Sequence, residues 1–214
     1  MVHAENILIC IAVPLAISLY FLDGSARRII ASFITGMIVC ILSAYIAGFF
    51  QLASGFSSED TSIFISPMIE ETMKLISVLF CIYAFNPSGK NILLFAVGIG
   101  AGFATFENSC CLLSPGAQQL GFVLIRGAAV GVMHIVTMVA LAKGIKVLKS
   151  YMVFSFAGVA GVLSLSMTVH ALYNLLVSKP GISSYIGYVM PMVCAIILYL
   201  ISSDAKECKE ENIS

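Results

Sequence analysis

The sequence has no tryptophan and little charge: of its 214 residues only 10% are Asp, Glu, Lys or Arg. About a quarter of an ordinary soluble domain is charged. With 60% hydrophobic residues and a mean hydropathy of +1.04, the chain falls outside that class, and lipid must be its solvent. Neither sign of charge dominates, since 11 basic residues meet 11 acidic ones. No basic block or aromatic–basic interleaving marks a nucleic-acid surface. There is no CxxC and no ligand-like spacing of cysteine with histidine. Of the seven cysteines, Cys10, Cys40, Cys81, Cys110, Cys111 and Cys194 fall in apolar runs and read as small packing residues rather than disulfide or thiolate sites. No low-complexity segment or clear internal repeat is visible.

What is there is a series of hydrophobic runs, near 6–22, 29–50, 62–85, 91–113, 120–142, 151–178 and 183–201, each closed by a polar or Gly/Pro-containing break. Each is long enough to cross a bilayer. The expected fold class is therefore an all-α, polytopic transmembrane bundle of about seven spans. It forms one helical domain over 1–204, with its core at about 62–178, followed by a charged tail over 205–214. The breaks Asp23–Arg28, Asn86–Lys90 and Ser114–Gln119 are short, which leaves no inserted soluble domain. The first run could pass for a signal peptide, but it has no basic segment before it, and Arg27 and Arg28 follow it; this favours a retained first helix. With alternating breaks, Arg27, Arg28, Lys90, Lys143, Lys146, Lys149, Lys206 and Lys209 share one side, and only Lys179 falls on the other. The positive-inside rule then puts the N-terminus outside and the tail in the cytoplasm of a multi-pass cell-membrane protein, a bacterial cytoplasmic membrane being the expected home. The spacings Gly98/Gly102 and Gly127/Gly131 read as close-packing devices, and Pro67, one turn before Glu70, should loosen its helix.

Against this background the polar residues within the runs are costly. They are Glu70, Glu71, Lys74, Glu107, Asn108, Arg126, His134, His170 and Asn174. An ionised group at mid-bilayer costs roughly 2.5–3.5 kcal/mol on the lenient insertion scale, so the five acidic and basic ones would together cost on the order of 12–17 kcal/mol if left unpaired. They must meet inside the bundle. At 1.5 Å per residue, Glu70, Glu71 and Arg126 lie about 10 Å below the outer boundary, Glu107 and His170 reach a similar level, and His134 is deeper. Glu70 and Glu71 precede Lys74 by four and three residues, so the lysine can pair with either along one helix face. Three glutamates against one lysine and one arginine leave one negative charge. That charge calls for a protonated carboxyl, a protonated histidine or a bound cation.

Known intramembrane hydrolysis designs narrow the chemistry. No HExxH for a zinc protease is present. Asp23, Asp60 and Asp204 all lie outside the runs, which disfavours an aspartyl dyad. The string Leu52–Gly55 sits in a polar connection and reads as coincidence with a serine-protease loop. Glutamate and histidine remain.

Four ordered patterns then stand out: Glu70-Glu71-Thr72-Met73-Lys74 (EExxK), Phe103 to Glu107 (FxxxE), Arg126 with His134 eight residues on, and His170 to Asn174 (HxxxN). As a set, over roughly residues 66–176, they resemble the PrsW family of intramembrane proteases, distantly related to the CAAX prenyl-protease and bacteriocin-immunity group. The lysine at EExxK spacing and Glu107 in the third motif separate the chain from the CAAX branch. The resemblance implies cleavage of a single-pass membrane protein near its extracytoplasmic side, PrsW itself being associated with the first cut of a membrane-anchored anti-sigma factor. It further implies Glu70 or Glu71 as general base and Lys74 as the group that holds the pair. His134, His170 and Asn174 are then oxyanion stabilisers or ligands, Glu107 a second base, ligand or partner of Arg126, and Asn108 a supporting residue. The family is classed with metalloproteases, and Glu71, Glu107, His134 and His170 are the candidate ligands for a divalent ion such as zinc. A related glutamate mechanism activates water without metal. Two other classes fit buried charge: a small transporter or proton pathway, although no inverted repeat accompanies it, and a non-catalytic scaffold or immunity-like protein whose polar cluster fixes helix register.

Overall fold

The computed structural model describes residues 3–85, 89–113, 117, 119–148 and 155–211. Among them every regular element is helical: α1 (Ala4–Ser18), α2 (Gly24–Ser54), α3 (Ser58–Asp60), a π turn (Thr61–Ile65), α4 (Ser66–Phe85), α5 (Gly89–Cys111), α6 (Leu120–Leu148), α7 (Ser155–Ser178) and α8 (Ile182–Glu211). Hydrophobic runs read from sequence thus become helices, and their ends follow local chemistry. Gly55 closes α2 in the left-handed conformation (φ 73°), its N–H bonded to the Gln51 carbonyl at 3.0 Å; that conformation favours glycine. It also accounts for the Leu52–Gly55 string as a helix end. Ser57 opens the next segment by accepting from the Asp60 amide, an N-cap. The breaks at 86–90 and 114–119 and the tail lie wholly or partly outside the described residues, although α8 continues through Glu211.

Five of the helices are long and apolar enough to cross a membrane: Gly24–Ser54, Asn91–Cys111, Leu120–Lys146, Phe156–Ser178 and Ile182–Ile201. The two remaining runs of the expected seven fall short of this by different routes. Helix α1 has only 15 residues, and α4 carries Glu70, Glu71 and Lys74. Large apolar side chains such as Phe49, Phe64, Phe80, Leu124 and Ile196 point outward, as expected where lipid replaces water.

Helix α5 stands at the centre, packed on α2, α4 and α6, while α7 lies against α4, α6 and α8. The α2–α5 seam is the tightest in the bundle. A Cβ placed on Gly36 would stand 2.1 Å from the Ile99 carbonyl oxygen, one on Gly102 1.9 Å from that of Phe33, and one on Gly98 2.0 Å from the Ser32 hydroxyl. The expectation of close packing at Gly98/Gly102 is met, with Gly36 as the unexpected third member. Gly127/Gly131 is a correction: a Cβ at Gly131 would meet nothing within 4 Å, and one at Gly127 only Asn108, at 3.8 Å. Small residues at helical spacing permit close approach; a partner helix must still fill the gap. One half of the α4–α5–α6 interior is an apolar cluster of Leu75, Val78, Phe95, Ile99, Met138, Leu141 and neighbours, with Ser77 and Thr137 buried beside it. The polar residues lie above it.

Candidate active site

Four helices deliver the polar residues to one place. Helix α4 supplies Glu70, Glu71 and Lys74, α5 Glu107 and Asn108, α6 Arg126 and His134, and α7 His170 and Asn174. Seven of the nine polar residues named from the sequence form one connected hydrogen-bond network, with Glu70 and Asn174 beside it.

The deepest part holds Lys74, Glu71 and His134, all at 0% exposure. The Lys74 ammonium donates to Glu71 Oε1 at 2.7 Å and approaches His134 Nδ1 at 2.5 Å. Its remaining side faces the Phe103 ring, 4.4 Å from the centroid. A buried ammonium has three N–H groups to satisfy, and here a carboxylate, an imidazole and an aromatic face meet them. Because ammonium only donates, His134 Nδ1 must accept, which puts the imidazole proton on Nε2; that nitrogen lies 2.6 Å from Glu107 Oε2. Glu107 in turn accepts from Arg126 Nη2 at 3.2 Å, and Arg126 Nη1 donates to Asn108 Oδ1 at 2.9 Å. Asn108 Nδ2 closes the chain on the Gly127 carbonyl at 3.2 Å. Arg126 and Glu107 are therefore ion-paired, and Asn108 orients the arginine.

His170 joins the two glutamates. Its Nδ1 lies 2.8 Å from Glu71 Oε1, and its Nε2 faces Glu70 Oε2 at 3.7 Å. The sequence permitted Lys74 to pair with either glutamate; the structure gives it to Glu71. Glu71 Oε1 thus holds two partners, while the buried oxygens Glu70 Oε2 and Glu71 Oε2 have no hydrogen-bond partner. The rings of His134 and His170 stand nearly perpendicular, at 85°, with centroids 5.1 Å apart. Asn174, one turn beyond His170, donates to the Ser62 carbonyl at 2.9 Å instead of joining the carboxylates.

A cavity of about 340 Å³ opens beside this network, and Ser62, Ser66, Glu70, Glu107, Arg126, His170 and Asn174 line it. Glu71, Lys74 and His134 do not reach it. The site has a front row that faces the cavity and a buried back row that orients it. Ligand atoms of Glu70, His134 and His170 lie within 4.8 Å of one another. Of the ligands expected from sequence, both histidines belong to this group; Glu71 and Glu107 are outside it, engaged by Lys74 and His170 or by His134 and Arg126, and Glu70 takes the carboxylate position. Phe103 is a site neighbour that sequence reasoning missed as such, although it opens the FxxxE pattern.

Comparison with known proteins bears on what such a site is for. A family model described as PrsW family intramembrane metalloprotease matches residues 24–201. The match begins at the first residue of α2 and ends in α8, so it takes in every residue of the site and omits α1. No curated protein and no solved structure matches.

Proposed function

Because this chain belongs to the PrsW family of intramembrane metalloproteases, it is a membrane peptidase, and we propose that it uses Glu70 to activate the water that cleaves a membrane-anchored protein. The observation that carries this reading is the division of labour within the glutamate pair. Glu71 is sealed from the cavity and holds Lys74 and His170, whereas Glu70 lines the cavity with its side chain 17% exposed. A general base needs an accessible lone pair and a fixed position. The exposed part of Glu70 supplies the first, and its place between the cavity and His170 Nε2, 3.7 Å from Oε2, supports the second.

In this scheme Glu70 takes a proton from water as the water oxygen adds to the scissile carbonyl carbon. It then returns that proton to the leaving nitrogen as the C–N bond breaks. Glu71 accepts from His170 Nδ1–H and so turns His170 Nε2 toward Glu70. Lys74 fixes Glu71 and, through His134, the Glu107–Arg126 pair. Arg126, the cation on the cavity wall, offers charge to the oxyanion.

The donor types fit a divalent ion: one carboxylate and two imidazoles, Glu70, His134 and His170, are ligands of the kind a catalytic zinc takes. His134 has both ring nitrogens engaged, by Lys74 and Glu107, so it would have to give up its Lys74 contact to join them. The network also carries one surplus negative charge and two buried oxygens without a donor. When bound, the ion would acidify a coordinated water and polarise the carbonyl. Glu71 would then be the outer carboxylate that orients His170.

The same reading keeps seven spans, with α1 and the Thr61–Phe85 segment as the two polar or short ones, the N-terminus outside and the tail in the cytoplasm. Exposed aromatics support the spans, though not their orientation. With successive helices alternating in direction, Tyr20, Phe21, Tyr83, Phe85, Phe156 and Tyr199 fall at one end of the bundle, and Phe49, Phe50, Phe56 and Tyr185 at the other, as two interfacial belts would. The site lies nearer the second end, the outer one in this orientation, where the extracytoplasmic part of an anti-sigma-factor-like substrate would enter.

Co-expression with single-pass membrane proteins tests the proposal. Cleavage of at least one of them should disappear in Glu70→Gln while the variant accumulates normally. Cleavage that persists in Glu70→Gln removes Glu70 as the base. Purified protein should contain close to one divalent ion per chain and lose activity with chelator; full activity in metal-free protein would leave Glu70 acting alone.

A further inference from the structure

The backbone ladder breaks just before the glutamate pair. Thr61–Ile65 forms a π turn, and its last bond runs from the Ser66 amide to the Thr61 carbonyl. The Ser62 carbonyl would take its donor from residue 66 in an α-helix or from residue 67 in a π-helix. Ser66 is already bonded elsewhere, and residue 67 is Pro67, which has no N–H. The Ser62 carbonyl is therefore left without a backbone donor by the chain itself, on the wall of the cavity. The side chain of Asn174 donates to it at 2.9 Å.

This contact belongs to a ladder of three between the same two segments. One turn deeper, His170 meets Glu71 at 2.8 Å and Glu70 at 3.7 Å. Toward the end of the bundle, Lys179 pairs with Glu59 at 2.5 Å. His170 and Asn174 are four residues apart on one face of α7, and Ser62, Ser66 and Glu70 line one cavity wall at four-residue spacing. The extra residue of a π turn rotates the helix beyond it by about 100° relative to an uninterrupted α-helix. The phase at which α4 presents its glutamates therefore depends on the π turn being held.

We propose that Asn174 is a positioning residue: its amide closes the carbonyl that Pro67 leaves open, locks the π turn, and so sets Glu70 and Glu71 against His170. The activity arm of this proposal rests on the peptidase reading given above. The role differs from oxyanion stabilisation, in which Asn174 would act on the substrate and the state of Pro67 would be irrelevant.

The test uses the full chain in detergent at pH 8 or above and three variants, Asn174→Leu, the isosteric Asn174→Asp, which cannot donate once ionised, and Asn174→Leu combined with Pro67→Ala. Amide hydrogen exchange over residues 61–66 should rise about tenfold in both single variants, the size of one lost hydrogen bond, with the α2–α5 seam unchanged. With a substrate found by co-expression, kcat should fall about tenfold or more and KM should hold. Pro67→Ala should recover both readouts in the double variant, because the restored N–H of residue 67 can reach the Ser62 carbonyl. Should Asn174→Leu fail to fold, Asn174→Asp carries the measurement alone. Lost activity with unchanged exchange, or no recovery in the double variant, overturns the proposal. A chain that cleaves nothing would sink the peptidase reading, and the exchange measurement would still decide the tether.

Discussion

Two seams of this bundle hold helices together by opposite means. Along α2–α5, glycines bring backbone against backbone, with Gly36 and Gly102 each facing a carbonyl at a distance no side chain could share. Along α4–α7 the contacts are carboxylate, imidazole and amide, a cavity of about 340 Å³ opens beside them, and the α4 segment begins in a π turn. Where lipid removes the hydrophobic drive between helices, packing and polar bonding are the two remaining sources of cohesion. The first seam uses packing and gives a stiff wall. The second uses polar bonding and leaves donors and acceptors pointed at open space, which chemistry requires.

The difference is broken most completely at Glu70. Glu70→Gln should lower peptidase activity by about 10²–10⁴, while the melting temperature in detergent holds or rises, because a buried unpartnered carboxylate oxygen is replaced by a neutral amide. A parallel loss of stability would assign Glu70 to the structure instead. Lys74→Met goes deeper. It leaves Glu71 as a buried charge without its cation, a change worth roughly 3–5 kcal/mol. Here activity and thermal stability should fall together, and adding Glu71→Gln should restore much of the stability without the activity. Stability that does not return would show that the lysine is anchored chiefly by Phe103 and His134.

At the stiff seam the expectation reverses. Gly36→Val must push α2 away from the Ile99 carbonyl, at about 1–3 kcal/mol for overpacking. Thermal unfolding in detergent should register it directly. Whatever protein remains folded should cleave at nearly the normal rate per molecule, since α2 gives the cavity only Cys40, Ile41 and Ala44 and none of the nine polar site residues. A large drop in kcat at full stability would mean that the seam moves during catalysis.

How much of this was readable beforehand depends on the kind of signal. Charged and histidine side chains inside apolar runs carry a free-energy cost that composition alone exposes. Glu70, Glu71, Lys74, Glu107, Arg126, His134 and His170 could therefore be gathered into one layer before any contact was known. The distribution of roles could not. Glu70 and Glu71 are neighbours in sequence with identical chemistry, and only the approach of Lys74 and His170 separates them. The orphaned Ser62 carbonyl lies in the backbone and leaves no trace in side-chain pattern, although Pro67 hinted at it. Phe103 entered only as the opening residue of the FxxxE pattern, because a ring beneath an ammonium and a ring in a core look alike in sequence. Gly127 and Gly131 misled for the converse reason: a small residue records that close approach is permitted, and Gly131 has open space before it.

The smallest effect belongs where the two kinds of cohesion meet. Arg126 and Glu107 pair at 3.2 Å with side chains 23% and 30% exposed, on the cavity wall rather than behind it. Partly exposed pairs contribute about 1 kcal/mol or less, and Glu107 keeps His134 as a second partner. Arg126→Gln should therefore shift thermal stability by only a degree or two, on that order of free energy. If the guanidinium meets the oxyanion, kcat should fall about tenfold or more with KM little changed. If it serves only to neutralise Glu107, kcat and stability should change together and slightly, and Glu107→Gln in the same chain should cancel both. Steady-state rates of the single and double variants on one substrate separate the two roles.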